Sequence, residues 1–234
     1  MNILVFQHLV TEHPGSFRDV MREEGHVMHA VQLGEGEAIP PLDEYDALLV
    51  MGGPMDVWEV EQHPWLLDEM AAIRAWVAAK KPYLGICLGS QLLAQACGGH
   101  VQLMETPECG ISHVSVEPHA IFNDVPDLCP CFQWHGAEVV RLPPGARQLA
   151  TSPGCRIQAF TLGEHAYGLQ FHLELTATSA TEWGERPAYV AALEKIRGPG
   201  ILPAVQAEVA AHFDPLYAAA TSIFRNFTRI AAGA

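Results

Sequence analysis

The chain has 234 residues, 49% of them hydrophobic and 17% charged, enough to bury a substantial core in one domain. With 27 acidic against 13 scattered basic residues, its formal net charge of -14 excludes a phosphate-binding nucleic-acid surface. Met1 to Phe6 has no basic flank and Gln7-His8 interrupts it too early for a signal peptide, and no stretch reaches membrane-spanning length, so a cytoplasmic protein without membrane contact is expected.

Asn2 to Phe6 reads as a first strand, and Pro14 to Glu24 as an amphipathic helix carrying Phe17, Val20 and Met21 on one face. His26 to Leu33 reads as a second strand, 34–43 as a polar loop, and Tyr45 to Met51 as a buried third strand stopped by Gly52-Gly53-Pro54. Pro64 to Lys80 is the clearest helix, with Leu66, Met70, Ile73 and Val77 on one stripe and Pro64 suited to its first turn. A short strand follows to Ile86, then a helix from Gln91 to Cys97 ended by Gly98-Gly99. This alternation predicts an α/β fold with a central, mostly parallel sheet flanked by helices.

After Gly99 the texture changes to short alternating runs, at Ile111 to Val116, Glu138 to Leu142, Arg147 to Thr151 and Ile157 to Leu162, read as a small additional β region. Ala166 to Phe171 is another apolar strand with His172 at its end, where open α/β sheets place their ligands. From about 176 to 234 the chain reads as a helical extension of the same domain, 1–234. One helix carries Tyr189, Val190, Leu193 and Ile196, a second Val205, Val209 and Phe213, and a last one Ile223, Phe224, Phe227 and Ile230.

Cys87 stands where a short strand turns straight into a helix, between Gly85 and Gly89. Such an elbow strains the backbone at the nucleophile, pushes its thiol into the open, and aims the positive helix end at the sulfur, which favours thiolate. His172-Leu173-Glu174 supplies a base and an orienting acid two residues apart on one face of an extended chain, completing a Cys-His-Glu triad. The backbone N–H groups of Gly53 and Leu88, each just past a strand end, are candidate donors to a tetrahedral oxyanion. The other five cysteines, Cys97, Cys109, Cys129, Cys131 and Cys155, lack the density of a disulfide scaffold, and Cys129-Pro130-Cys131 reads as a loop with two thiols rather than a metal pair. None of the twelve histidines has a zinc-binding helix spacing, and neither metal nor cofactor is expected.

In order along the chain, Met51-Gly52-Gly53-Pro54-Met55, His63-Pro64-Trp65-Leu66, Leu84 to Leu92 around Cys87, Phe132-Gln133-Trp134-His135-Gly136 and Gly168 to Glu174 resemble the class I, triad-bearing glutamine amidotransferases. The likeness is to stand-alone members similar to the glutaminase domain of GMP synthetase. It implies a flavodoxin-like sheet, attack of Cys87 on the γ-carboxamide of glutamine, proton shuttling by His172, orientation by Glu174, an oxyanion hole at Gly53 and Leu88, and release of ammonia and glutamate through a thioester. It also implies that Gln91 lines the substrate pocket and that Trp134, His135 and Gly136 contact the glutamine head group. Two departures fall on the substrate side: Ala137 where many relatives carry an acidic residue, and Cys109-Gly110-Ile111 where they often have Ile-Gly-Trp.

Three functions follow from these features. The first is a glutamine amidohydrolase that could deliver ammonia to a synthetase partner, since no nucleotide-binding Gly-rich signature occurs in the chain. The second is a γ-glutamyl peptidase using the same triad in a pocket made roomier by Ala137 and Ile111. The third is a non-catalytic regulatory module of the same fold.

Overall fold

A computed structural model describes residues 1–233. Nine strands form one sheet: β1 Asn2–Gln7, β2 Val27–Gln32, β3 Ala47–Val50, β4 Tyr83–Ile86, β5 His100–Val116, β6 Leu128–Arg141, β7 Ala146–Thr151, β8 Ala159–Leu162 and β9 Ala166–Leu169. Their order is β2-β1-β3-β4-β9-β8-β7-β5-β6. The first five strands in that order run parallel and the rest continue antiparallel, so the additional β region extends the same sheet.

The helices are α1 Phe17–Glu23, α2 Trp65–Ala78, α3 Leu88–Ala96, α4 Ser179–Gly184, α5 Pro187–Arg197, α6 Leu202–Ala211 and α7 Phe213–Ala232. Because successive strand residues point to opposite faces, the parallel strands are apolar throughout and feed two cores. Ile3 and Val5 join Leu49 and Ile86 under α1 and α7, while Leu4 and Phe6 join Leu48 and Val50 under α2 and α3. Phe17 of α1 stacks on Phe224 of α7 at 4.7 Å between ring centroids, which pins the last helix back onto the body. A third core around Phe132, Trp183, Leu193 and Val209 gathers α4, α5 and α6 over the long strands β5 and β6.

Several boundaries differ from those expected. The strand read at Ile111–Val116 is the end of a 17-residue β5, and the one read at Glu138–Leu142 is the end of a 14-residue β6. Cys129-Pro130-Cys131 therefore lies in a strand, not a loop. Pro130 is tolerated because β6 is the sheet's edge, where one side of the ladder needs no N–H. Helix α3 starts at Leu88, directly after the nucleophile candidate, and Phe213 opens α7 rather than closing α6.

Candidate active site

Strands β3 and β4 and the chain just past β9 all end on one side of the sheet, and this edge assembles the site. Cys87 takes φ 50° and ψ -107°, a conformation that a non-glycine residue adopts only when its surroundings enforce it. The glycines beside it are what allow that enforcement. A Cβ on Gly85 would lie 2.5 Å from the Gly89 carbonyl, and one on Gly89 would lie 2.2 Å from the Val50 carbonyl oxygen. The first turn of α3 is thus pressed onto β3 and β4 with the sulfur at the floor of a cavity. Only 6% of Cys87 is accessible, so the thiol faces that cavity and is not pushed out into bulk solvent as expected.

His172 is held by a reciprocal pair of backbone hydrogen bonds with Phe132, 2.8 and 3.0 Å long, which tie the segment after β9 to β6. Its Nδ1 lies 2.7 Å from Glu174 Oε1, which leaves Nε2 as the ring nitrogen without a carboxylate partner, and the ring and Cys87 Cβ both lie beside Gly52. Glu174 Oε2 accepts the Leu173 N–H at 2.9 Å, and its carbonyl accepts the Ser16 N–H at 2.7 Å. Burial opposes a charged imidazole, but the Glu174 carboxylate and the sulfur outweigh it and hold the His172 pKa well above the ordinary histidine value. Burial likewise opposes the Glu174 charge, and His172 outweighs it, keeping Glu174 below the usual carboxylate range. The three residues singled out from sequence therefore meet on one cavity wall, with His172 and Glu174 hydrogen-bonded and Cys87 beside them.

Gly53 and Leu88 both border Cys87, and among the described residues neither backbone N–H donates to a loop, cap or side-chain acceptor. The Gly52–Gly53 peptide is trans, so its carbonyl and the Gly53 N–H point in opposite directions. His8 Nδ1 binds that carbonyl at 2.7 Å, so the Gly53 N–H points away from His8, and Gly53 itself lines the cavity. His8 is in turn held by Glu69 at 3.0 Å and by stacking on Trp65. Both His8 nitrogens face acceptors, which calls for an imidazolium. Burial works against that charge, but Glu69 prevails and raises the His8 pKa. Neither His8 nor Glu69 carries a local motif that would have marked it; they meet across 61 residues of chain.

Gln91 borders the cavity, and of its amide only Oε1 is without a hydrogen-bond partner among the described residues. It is buried, and its Nε2 donates at 3.1 Å both to the Ala137 carbonyl and to Gln170 Oε1. Gln170 Nε2 in turn faces Cys87 Sγ at 3.7 Å, so Gln91 acts on the sulfur through its neighbour. The Trp134 carbonyl also faces the sulfur, while the Trp134 ring packs edge-on against Trp183 at 5.3 Å. His135 is buried between Gln133 and the Ala137 carbonyl, and Gly136 borders open space. Ala137 lines the cavity, whereas Ile111 packs between two cores and does not, so of the two departures only the first borders the pocket.

The cavity measures about 630 Å³ and is roofed by Trp183 of α4 and by Tyr189, Lys195 and Ile196 of α5. Glu12, on the loop after β1, also lines it and was not marked by any sequence signal. No helix of the described residues is long and apolar enough to cross a membrane, and no three His, Cys, Asp or Glu side chains among them converge as a metal site would.

The mixed sheet, with a cysteine elbow at the carboxyl edge of its parallel half and a His-x-Glu beside it, fits the glutamine amidotransferase fold, and the chain belongs to the family described as glutamine amidotransferase class-I, whose model matches residues 18–186. It is similar to one of the subunits of the glutamine-hydrolysing GMP synthase of Sulfolobus acidocaldarius, at 33% identity over 154 residues, 64% of this chain and 79% of that one. It is also similar to the glutamine amidotransferase-like protein YfeJ of Salmonella typhimurium, at 30% identity over 75% of this chain and 77% of that one. Among solved structures, a glutamine amidotransferase from Thermotoga maritima superposes with a TM-score of 0.88 at 31% identity, covering 99% of this chain and 98% of that one.

Proposed function

We propose that the protein hydrolyses the γ-carboxamide of glutamine through a thioester on Cys87. The observation that carries this is the single row Cys87, His172, Glu174 beside two backbone N–H groups without acceptors. The Cys87 sulfur adds to the γ-carbonyl carbon and the oxygen takes up the negative charge within reach of the Gly53 and Leu88 N–H groups. The C–N bond then breaks as the His172 imidazolium gives its proton to the leaving nitrogen, which departs as ammonia. Water, deprotonated by His172, attacks the thioester, and glutamate leaves as the thiol is restored. Glu174 keeps the imidazole in the tautomer and orientation both steps require.

The similarity to one component of a synthase supports delivery of the ammonia to a synthetase polypeptide. The cavity favours a second reading of the same chemistry. Its volume lies within the ordinary range of about 300–1,000 Å³ for sites that enclose whole drug-sized ligands, and a roof from α4 and α5 encloses more space than a primary carboxamide needs. A γ-glutamyl amide with a larger leaving amine fits the same electrophile at Cys87.

Intact-protein mass spectrometry after rapid quenching with glutamine or a set of γ-glutamyl peptides tests both. An acyl adduct on Cys87, absent in Cys87→Ser, is expected, with ammonia or amine released in step. Failure of every γ-glutamyl compound to load Cys87 would overturn the catalytic assignment and leave a regulatory module.

A further inference from the structure

Glu12 is a carboxylate that the acyl-transfer steps do not use, yet it sits within the reacting cavity. Only 7% of it is accessible. Oε1 accepts the Tyr189 hydroxyl at 2.7 Å, and among the described residues Oε2 has no hydrogen-bond donor. The position of Oε2 is fixed by a gap at Gly52. A Cβ there would lie 3.2 Å from Glu12 Oε2, 3.1 Å from His172 Cε1 and 3.6 Å from Cys87 Cβ. The carboxylate thus stands one methyl group's width from the catalytic pair and on the same cavity wall.

This carboxylate is under-compensated. Burial pushes its pKa up, countered in part by His172 and the Tyr189 hydroxyl, and no lysine or arginine is among the groups that act on it. A buried carboxylate with one neutral donor gains most from a cation that also donates hydrogen bonds. Lys195 lines the same cavity but no ion pair joins it to Glu12 among the described residues, and a γ-glutamyl substrate carries such a cation: its α-ammonium, four bonds from the carbon that Cys87 attacks.

We propose that Glu12, oriented by Tyr189, is the subsite for the α-ammonium group of the substrate, and so selects γ-glutamyl compounds over simple carboxamides. The proposal rests on the acyl-transfer reading above. It deepens that reading, because Tyr189 lies beyond the segment 18–186 that the family model matches and ties the selectivity to α5.

The test uses Cys87→Ser protein, which binds without turning over, and calorimetric titration with glutamine and with glutaramate, which is glutamine without its α-amino group. With Glu12 intact, glutamine should bind about tenfold to a hundredfold more tightly, the size of one charge-assisted hydrogen bond. Glu12→Gln, added to Cys87→Ser, should reduce that preference to within about twofold by weakening glutamine alone. Equal binding of the two ligands with Glu12 intact would overturn the subsite and leave the acyl-transfer reading standing. Binding of neither would overturn both. Weakening of both ligands alike by Glu12→Gln would assign the residue a structural role instead. A second arm separates the source of the ammonium, comparing the γ-glutamyl amide of a diamine with that of a monoamine of the same chain length. A preference for the diamine amide that Glu12→Gln abolishes would move the cation to the leaving group and overturn the α-assignment.

Discussion

The two walls of the cavity are made in different ways. The floor, from Gly52 through Cys87 to Glu174, is placed by backbone: strand ends, a forced elbow, a trans peptide, and glycines whose missing side chains let segments touch. The roof, from Trp183 to Ile196, is placed by side chains of α4 and α5 packing on one another and on Trp134. The family match ends at residue 186, close to where one wall gives way to the other. The floor is thus set by backbone geometry over short stretches of chain, and the roof by side-chain packing between helices.

The largest effect should come from the floor. Cys87→Ala is expected to lower amide hydrolysis by about 10⁵-fold or more while leaving the melting temperature nearly unchanged, since the side chain is small and borders a cavity. Glu174→Gln should lower kcat by about 10³- to 10⁴-fold, because the imidazole loses both its tautomer control and its charge partner. This variant also has a pH signature. Glu174 is held below the usual carboxylate range by His172, against its burial, so its stabilising effect is complete above the unfolded-state pKa and is lost as pH falls through the lower folded one. His172, raised by Glu174 against its burial, contributes below the unfolded histidine pKa and loses that contribution as pH rises through its raised folded value. Thermal melts of wild type and Glu174→Gln should therefore differ most between the unfolded carboxylate and histidine pKa values, about pH 4.5 to 6.5, and converge as the medium is acidified through the carboxylate range.

Next in size is the support behind the floor. His8→Ala leaves the Gly52 carbonyl without its donor and Glu69 buried without its partner, a loss of about 3–5 kcal/mol in denaturant melts. Where the variant folds, kcat should fall by about 10²-fold with little change in KM, the mark of a disturbed oxyanion donor. Gly52→Ala separates geometry from charge at the same place. Its Cβ would meet His172 and Glu12 at 3.1 and 3.2 Å, and kcat should fall by about tenfold to a hundredfold with the fold intact.

The same division explains what could be read from the amino-acid sequence. Cys87, Gly85 and Gly89 are neighbours in the chain, and His172 and Glu174 are two residues apart, so the spacing alone carried their geometry. The parallel strands were legible because both their faces are buried and their sequences are apolar throughout. Strands β5 and β6 were read only over their last few residues, Ile111 to Val116 of 17 and Glu138 to Arg141 of 14. Their proximal halves carry Glu105, Glu108, Pro130 and several half-buried residues, which break the period-two pattern that marks a strand. Glu12 and His8 escaped notice for another reason. Each acquires its surroundings from residues far along the chain, Tyr189 in one case and Glu69 in the other, and neither pairing leaves a local trace. Gln91 borders the cavity, but its Nε2 is committed to Ala137 and Gln170, which only packing decides.

The smallest expected effect tests the roof. Arg197, at the end of α5, binds Glu208 of α6 through both terminal nitrogens at 2.8 and 3.1 Å and reaches the Cys109 carbonyl at 3.4 Å. Gly110 makes that contact possible, because with φ 122° it brings the chain so close that a Cβ would lie 2.5 Å from Arg197 Nη1. The pair is about one-third exposed, so solvent screening keeps its contribution to stability within about 1 kcal/mol. Arg197→Ala should therefore melt only slightly earlier. The expected kinetic effect is graded along α5: little change in KM for glutamine, whose proposed contact with the helix is through Tyr189 near its start, and a KM about two- to fivefold higher for a γ-glutamyl peptide, whose proposed leaving-group space is lined by Lys195 and Ile196. An equal rise for both substrates would mean that the roof also shapes the floor, and that the two walls are one device rather than two.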